Sequence, residues 1–244
     1  MKKMVSIILT VMMVTSLAAC GNTPASAGTE NSQTDTTSQR ETERVTESAE
    51  TTATGESTSA EENKPTETGS GSNTLVAYFS LAGEQYGVGV IEEGNTKIIA
   101  EMIAEETGAD LFEIEAAAPY PESHSELLAV SQEEMSENAR PEIVGTVENI
   151  EDYTTIFIGF PNWWGDMPMI VYNFIESYDF AGKTVIPFCT HGGSGLSRTE
   201  STIAEITGAT MLDGFAISGE TAQNDRDRSR NEVNEWLNEI GLAK

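Results

Sequence analysis

Two absences in this 244-residue chain exclude whole classes of protein. Cysteine occurs only twice, at Cys20 and Cys189. No disulfide framework can be built if one of the two is committed elsewhere. Lysine and arginine number 13 against 40 aspartates and glutamates, a net charge of −27. Residues 73–244 hold 30 of the acidic residues and 8 of the basic ones, a net of −22. Such a surface repels nucleic acid and anionic lipid. From Gly21 to Ser72 there is no aromatic residue, and Val45 is the only branched apolar one. That segment cannot bury enough surface to offset the entropy of ordering it.

What is present divides the chain into three. Lys2 and Lys3 precede an apolar run from Met4 to Leu17, too short for a comfortable membrane span but suited to an export signal. It ends in Leu17-Ala18-Ala19-Cys20. This tetrapeptide resembles the bacterial lipobox, whose cysteine receives a lipid, although an ordinary signal with an incidental cysteine is the alternative. The expectation is a signal peptide over residues 1–19, then a lipidated Cys20 with a Thr/Ser/Glu-rich tether over 20–72, then one domain over 73–244. As a flexible coil the tether would reach about 40 Å. Location outside the cytoplasm, anchored to a bacterial membrane, follows.

In the domain, strand-like apolar runs alternate with helical patterns. The strands are expected at Leu75–Phe79, Leu111–Ile114, Thr155–Phe160, Thr184–Phe188 and Thr210–Ile217. Helices are expected at Asn95–Thr107 with Gly108 as C-cap, at Pro121–Asn138, at Met167–Glu176 with Asp166 as N-cap, from Ser197 to Gly208, and from about Asp225. Ser197 and Glu200 have the spacing of a capping box. Five strands alternating with five helices argue for an α/β fold, a doubly wound parallel sheet with helices on both faces. Such a sheet binds ligands beyond the carboxyl ends of its strands.

Three strands are followed by unusual loops. After the first comes SLAGEQYGVGVIEEGNTK, Ser80 to Lys97. Ser80 and Thr96 offer hydroxyls, and Gly94, Asn95 and Thr96 offer backbone N–H groups where a helix begins. That arrangement binds an anion without positive side chains; Lys97 either assists or is simply solvated. A polar loop capping its helix is the plainer reading. After the third strand comes PNWWGDMP, Pro161 to Pro168. Neighbouring residues of a regular element point different ways, so Trp163 and Trp164 side by side suggest a flat wall for stacking, or else a protein anchor. After the fourth comes CTHGGSGLS, Cys189 to Ser197. Gly192, Gly193 and Gly195 allow the backbone close to a ring. His191 either faces the ligand or hydrogen-bonds the loop, and Cys189 reads as a buried small residue rather than a nucleophile.

In their order YFS, GNTK, PNWWG and THGGSG, these motifs resemble flavodoxins, especially a bacterial branch, from Leu75 to about Gly241. The resemblance implies a five-stranded sheet of order 2-1-3-4-5 and noncovalent FMN. Ser80, Gly94, Asn95, Thr96 and Lys97 would lie at its phosphate. Pro161, Asn162, Trp163, Trp164 and Gly165, with Thr190, His191, Gly192, Gly193, Ser194 and Gly195, would flank the ring. An electron carrier or an FMN-dependent reductase is then expected, serving a redox partner protein with a basic patch or a small acceptor. The acidic domain should oppose negative charge on the reduced ring. The phosphate loop departs from the family pattern: Glu84–Glu93 interrupts it, and Tyr86, Val88, Val90 and Ile91 suggest a packed flap. Thr207-Gly208-Ala209-Thr210 matches the tail of a motif that esterifies FMN to threonine, but Ala204 stands where that motif needs aspartate. A non-redox binding module on the same scaffold is the reading from another class.

Overall fold

The computed structural model describes residues 72–244. The export signal, the lipobox Cys20 and most of the expected tether lie outside them. Strand β1 (Thr74–Tyr78) is followed by the hairpin strands β2 (Gly83–Gln85) and β3 (Gly89–Ile91), and by helix α1 (Asn95–Thr107). Then come β4 (Asp110–Glu113), β5 (Glu115–Ala116), α2 (His124–Glu137), β6 (Ile143–Val144), β7 (Thr155–Pro161) and α3 (Met169–Glu176). The chain ends with β8 (Thr184–His191), α4 (Thr199–Thr207), β9 (Thr210–Met211), β10 (Phe215–Ser218), α5 (Gly219–Asn224) and α6 (Arg226–Glu239).

The main sheet runs β10-β8-β7-β1-β4, with β9 also pairing β8, and all pairs are parallel. With β9 and β10 counted as one interrupted strand, this is the order 2-1-3-4-5. The central strands β1, β7 and β8 are buried on both faces, so they read as continuous apolar runs. Alternate residues divide between two cores. Leu75, Ala77, Phe79, Ile156, Ile158 and Phe160 face α3 and α4 through Ile170, Phe174 and Ile203. Val76, Tyr78, Phe157, Ile186 and Phe188 face α1 and α6 through Ile99, Ile103, Val233 and Leu237. Gly159 lies in the middle of β7 because a Cβ there would collide with the ring of Phe188, which is fully buried and cannot yield.

The fifth strand is not continuous from Thr210 to Ile217 as the apolar run suggested. In a parallel ladder successive residues direct their N–H and C=O to alternate sides. Thr184 N–H reaches Thr154 O and Thr190 O takes Asn162 N–H, both toward β7, whereas Val185 O takes Leu212 N–H on the other side. Pro187 therefore turns its missing N–H toward the fifth strand, and the ladder breaks opposite it. Val185 pairs with Met211 but Phe188 with Phe215, so one extra residue is accommodated there. Trp236 Nε1 donates to the freed Asp213 carbonyl at 2.9 Å.

Two expected caps are corrected. Asp166 does not cap α3: Pro168 holds the N-cap position, and Asp166 Oδ1 accepts from Met167 N–H (2.8 Å) while its carboxylate also takes the Tyr172 hydroxyl. Ser197 and Glu200 form no capping box. Ser197 is left-handed (φ 54°) with its hydroxyl on Ser194 O, and Glu200 accepts from Gly214 N–H. The Gly108 cap (φ 65°) stands as read, and the last helix starts where expected, with Asp225 accepting Arg228 N–H.

Candidate functional site

Because β1, β7 and β8 are adjacent and parallel, the three unusual loops open on one edge of the sheet. A cavity of about 430 Å³ lies there, within the usual range for a small-molecule site of roughly 300–1,000 Å³. Of the expected ligand residues it is lined by Asn95, Pro161, Asn162, Trp163, Trp164, Gly165, Thr190, His191, Gly192 and Ser194. Ser80, Gly94, Thr96, Lys97, Gly193 and Gly195 are not on its wall. Ser80, Gly94 and Lys97 instead line a neighbouring cavity of about 220 Å³ with Glu92, Glu93 and Glu113. The first cavity's lining contains no aspartate, glutamate, lysine or arginine, although the chain has 40 carboxylates, and it contains both of the chain's histidines, His124 and His191.

The tandem tryptophans are explained by a tight turn. Trp163 and Asp166 exchange both backbone hydrogen bonds at 2.9 Å. Trp164 (φ 57°) and Gly165 (φ 80°) between them are both left-handed, which makes the turn type I′. This turn sends the two indoles to different tasks. Trp163 packs inward, edge-on to Phe79 and to Tyr120, each at 5.6 Å. Trp164 stays about half exposed (49%), and its Nε1 donates to Ser131 Oγ on α2 at 3.0 Å. A bulky residue in the left-handed region costs on the order of 1–3 kcal/mol; the Ser131 bond holds it there.

Asn162 ties this turn to the glycine loop. Its Nδ2 donates to Gly195 O at 2.8 Å and to Ser197 Oγ at 3.3 Å, and its Oδ1 accepts from Gly165 N–H at 3.1 Å. His191 serves its own loop, Nδ1 accepting Gly193 N–H at 2.8 Å. Partial burial holds its imidazole below the usual histidine pKa, so near pH 7 it is neutral, with the remaining proton on Nε2. Cys189 lies inside β8 with its thiol on Gly195 O. Burial first, then Glu200, pushes it up to about 12, which fits a packing residue.

At the other end stands the N-terminus of α1. The interrupting segment folds as the β2–β3 hairpin, and the two halves of the loop meet beneath it. A Cβ on Gly94 would strike Ser80 Oγ, and Ser80 Oγ accepts Lys97 N–H at 3.0 Å. Among the described residues the N–H groups of Asn95 and Thr96 have no partner. Thr96 Oγ1 lies 2.9 Å from Thr190 Oγ1 in a buried pair. Asn95 is only 9% exposed and its Oδ1 is unpartnered. The Lys97 ammonium instead pairs with Glu113 at 3.7 Å. The flap is ordered as a hairpin, but of its apolar residues only Ile91 is buried; Val88 is half-buried, and Tyr86 and Val90 are exposed.

The family profile described as Flavodoxin matches residues 73–240. The chain belongs to the flavodoxin family. Among solved structures, a candidate flavoprotein of Bacteroides uniformis is 34% identical, covering 68% of this chain and 97% of its own, with a TM-score of 0.55. One from Bacteroides eggerthii is 30% identical over 69% and 98%, also with a TM-score of 0.55. A Lactobacillus acidophilus flavoprotein solved with FMN is 21% identical over 63% and 96%, with a TM-score of 0.47. No curated protein matches the chain.

Several residues of this flavodoxin-family site escape a motif reading. Gln85 and Tyr86 come from the hairpin, His124, Leu127, Leu128 and Ser131 from α2, and Gly219 from the start of α5. The amphipathic stretch before Asn138 and the apolar residues of the insertion were the available signals for the first two groups. For Gly219 the signal was Ser218-x-x-Thr221, in which Ser218 caps α5.

Proposed function

We propose that the domain binds FMN noncovalently in this cavity and passes electrons between a donor and an acceptor outside the cytoplasm. It acts there as a carrier or as an FMN-dependent reductase. The observation that carries the reading is the pairing of two features. An uncharged, aromatic-walled cavity adjoins a helix N-terminus whose Asn95 and Thr96 N–H groups are free. A flat apolar ring with an anionic tail needs both, and the tail's charge suits the helix dipole. Membership of the flavodoxin family supports the same cofactor.

FMN, when bound, supplies reversible uptake of one or two electrons. The chain's own residues hold and shield it. Trp164 offers an indole face whose orientation Ser131 fixes. Asn162 keeps the tryptophan turn against the glycine loop. Asn95, Thr96 and Ser80 would hold the phosphate, Thr96 turning its hydroxyl from Thr190 to it and Ser80 donating its O–H while still accepting Lys97 N–H. The surrounding acidic surface favours a partner with a basic patch.

Titrating FMN with the purified protein is expected to quench flavin fluorescence at one equivalent. A colourless protein that leaves the fluorescence untouched would sink the reading. The proposal places the domain on a membrane through lipid at Cys20. Fatty-acid labelling of the chain in its bacterial host is expected, and its persistence in Cys20→Ala would remove the anchor.

A further inference from the structure

On the reading that the cavity takes a flavin, we propose that Tyr86 is a second aromatic wall of the ring site. The hairpin inserted between the two halves of the phosphate-binding loop supplies it. The loop after β8 has no aromatic residue from Cys189 to Ser197. It has instead a glycine that makes room for one. A Cβ on Gly192 would lie 2.8 Å from Tyr86 Cδ1. Gly192 is not among the glycines with positive φ, so its backbone conformation does not require the missing side chain. The Tyr86 ring occupies the space that a side chain at 192 would take.

Tyr86 lines the cavity while remaining 71% exposed. Seven large apolar side chains are exposed among the described residues, and three of them, Tyr86, Leu128 and Trp164, face this one cavity. Apolar surface gathered at a concave site marks a ligand rather than chance exposure.

The hairpin is held in place rather than loosely draped. Glu84 N–H donates to Glu122 O at 2.8 Å, and Glu84 Oε2 accepts the N–H of His124, the first residue of α2, at 3.0 Å. Arg226 pairs with Glu93 at 3.1 Å, and Ile91 is buried beneath. The Tyr86 ring stands 6.0 Å from the His124 ring, tilted by 36°. The wall is thus set before any ligand arrives, which lowers the ordering cost of binding.

The test compares riboflavin and FMN binding to the full protein by fluorescence titration. Tyr86→Ala is expected to weaken both by the same factor, about tenfold, since both flavins lose stacking on the same ring. Tyr86→Phe keeps the ring and should stay within about twofold of the wild type. The melting temperature of the unliganded Tyr86→Ala protein should not move, because the side chain is mostly exposed. Unchanged affinity in Tyr86→Ala overturns the proposal, as does a loss confined to FMN or a Tyr86→Phe variant as weak as Tyr86→Ala. If the wild type binds neither flavin, the flavin reading itself fails and this proposal falls with it.

Discussion

Asn162→Ala is expected to lower FMN affinity by about a hundredfold and to destabilise the domain by about 2–3 kcal/mol. Its side chain makes three hydrogen bonds, to Gly195 O, Ser197 Oγ and Gly165 N–H. Each net bond is worth about 1 kcal/mol, and the groups left behind are only half-buried, so water recovers part of the loss. The larger effect falls on binding. Asn162 is the side chain that fixes the tryptophan turn relative to the glycine loop, and both line the cavity. Without it the two walls must be ordered by the ligand, at a cost subtracted from affinity. Asn162→Asp separates the contributions. It keeps the acceptor for Gly165 N–H but loses the donor to Gly195 O and points a negative charge at that carbonyl. Its affinity should fall at least as far as that of the alanine variant. Fluorescence titration and thermal melting give the two numbers. Wild-type affinity in Asn162→Ala would mean that the loops are held by something else.

The importance of Asn162 could be seen only in part from the sequence. From the four motifs it is expected beside the ring, but its polar atoms are spent on the protein's own loops. That distinction depends on distances between segments some 33 residues apart. The sheet was more legible, because burial on both faces leaves a continuous apolar run whatever the partner strands are. Helix α1 was legible to the residue, since its apolar spacing and its Gly108 cap are local signals. Where local signals competed with tertiary ones, the reading missed. Ser197 and Glu200 had the spacing of a capping box, yet Glu200 is drawn to Gly214 N–H across the break in the fifth strand. Pro187 was visible, but the side on which it interrupts the ladder follows from register, which a single sequence does not carry.

The insertion shows the same division. Its valines, isoleucine and tyrosine announced a packed flap, and a hairpin is what forms. Packing against the body falls to Ile91, while Tyr86 turns to the cavity. Composition distinguishes a folded insertion from a loose one; it does not say which apolar side chain serves the fold and which the ligand. The two aromatic contacts of Trp163 and the single indole bond of Trp164 pose that question most sharply.

Those two tryptophans should respond in opposite ways to removal. Trp163→Ala takes away a ring packed edge-on to Phe79 and Tyr120, and Phe79 is buried with no means of filling the space. A loss of about 3 kcal/mol is expected, a fall in melting temperature on the order of 10 °C. Trp164→Gly removes an exposed indole from a left-handed position where glycine carries no penalty. It forfeits the bond to Ser131, whose hydroxyl keeps its own bond to Leu128 O at 3.1 Å. Relief of backbone strain offsets that loss, so the melting temperature should change little. On the proposed function, flavin affinity should nevertheless drop about tenfold or more, because the indole face proposed to stack on the ring is gone. The pair is best measured together, by melting without ligand and titration with FMN. If Trp164→Gly unfolds the domain while leaving affinity intact, the turn exists for the fold and the cavity's aromatic wall is not Trp164. If Trp163→Ala binds more weakly than Trp164→Gly at a temperature where both are folded, the inward ring is the one that meets the ligand.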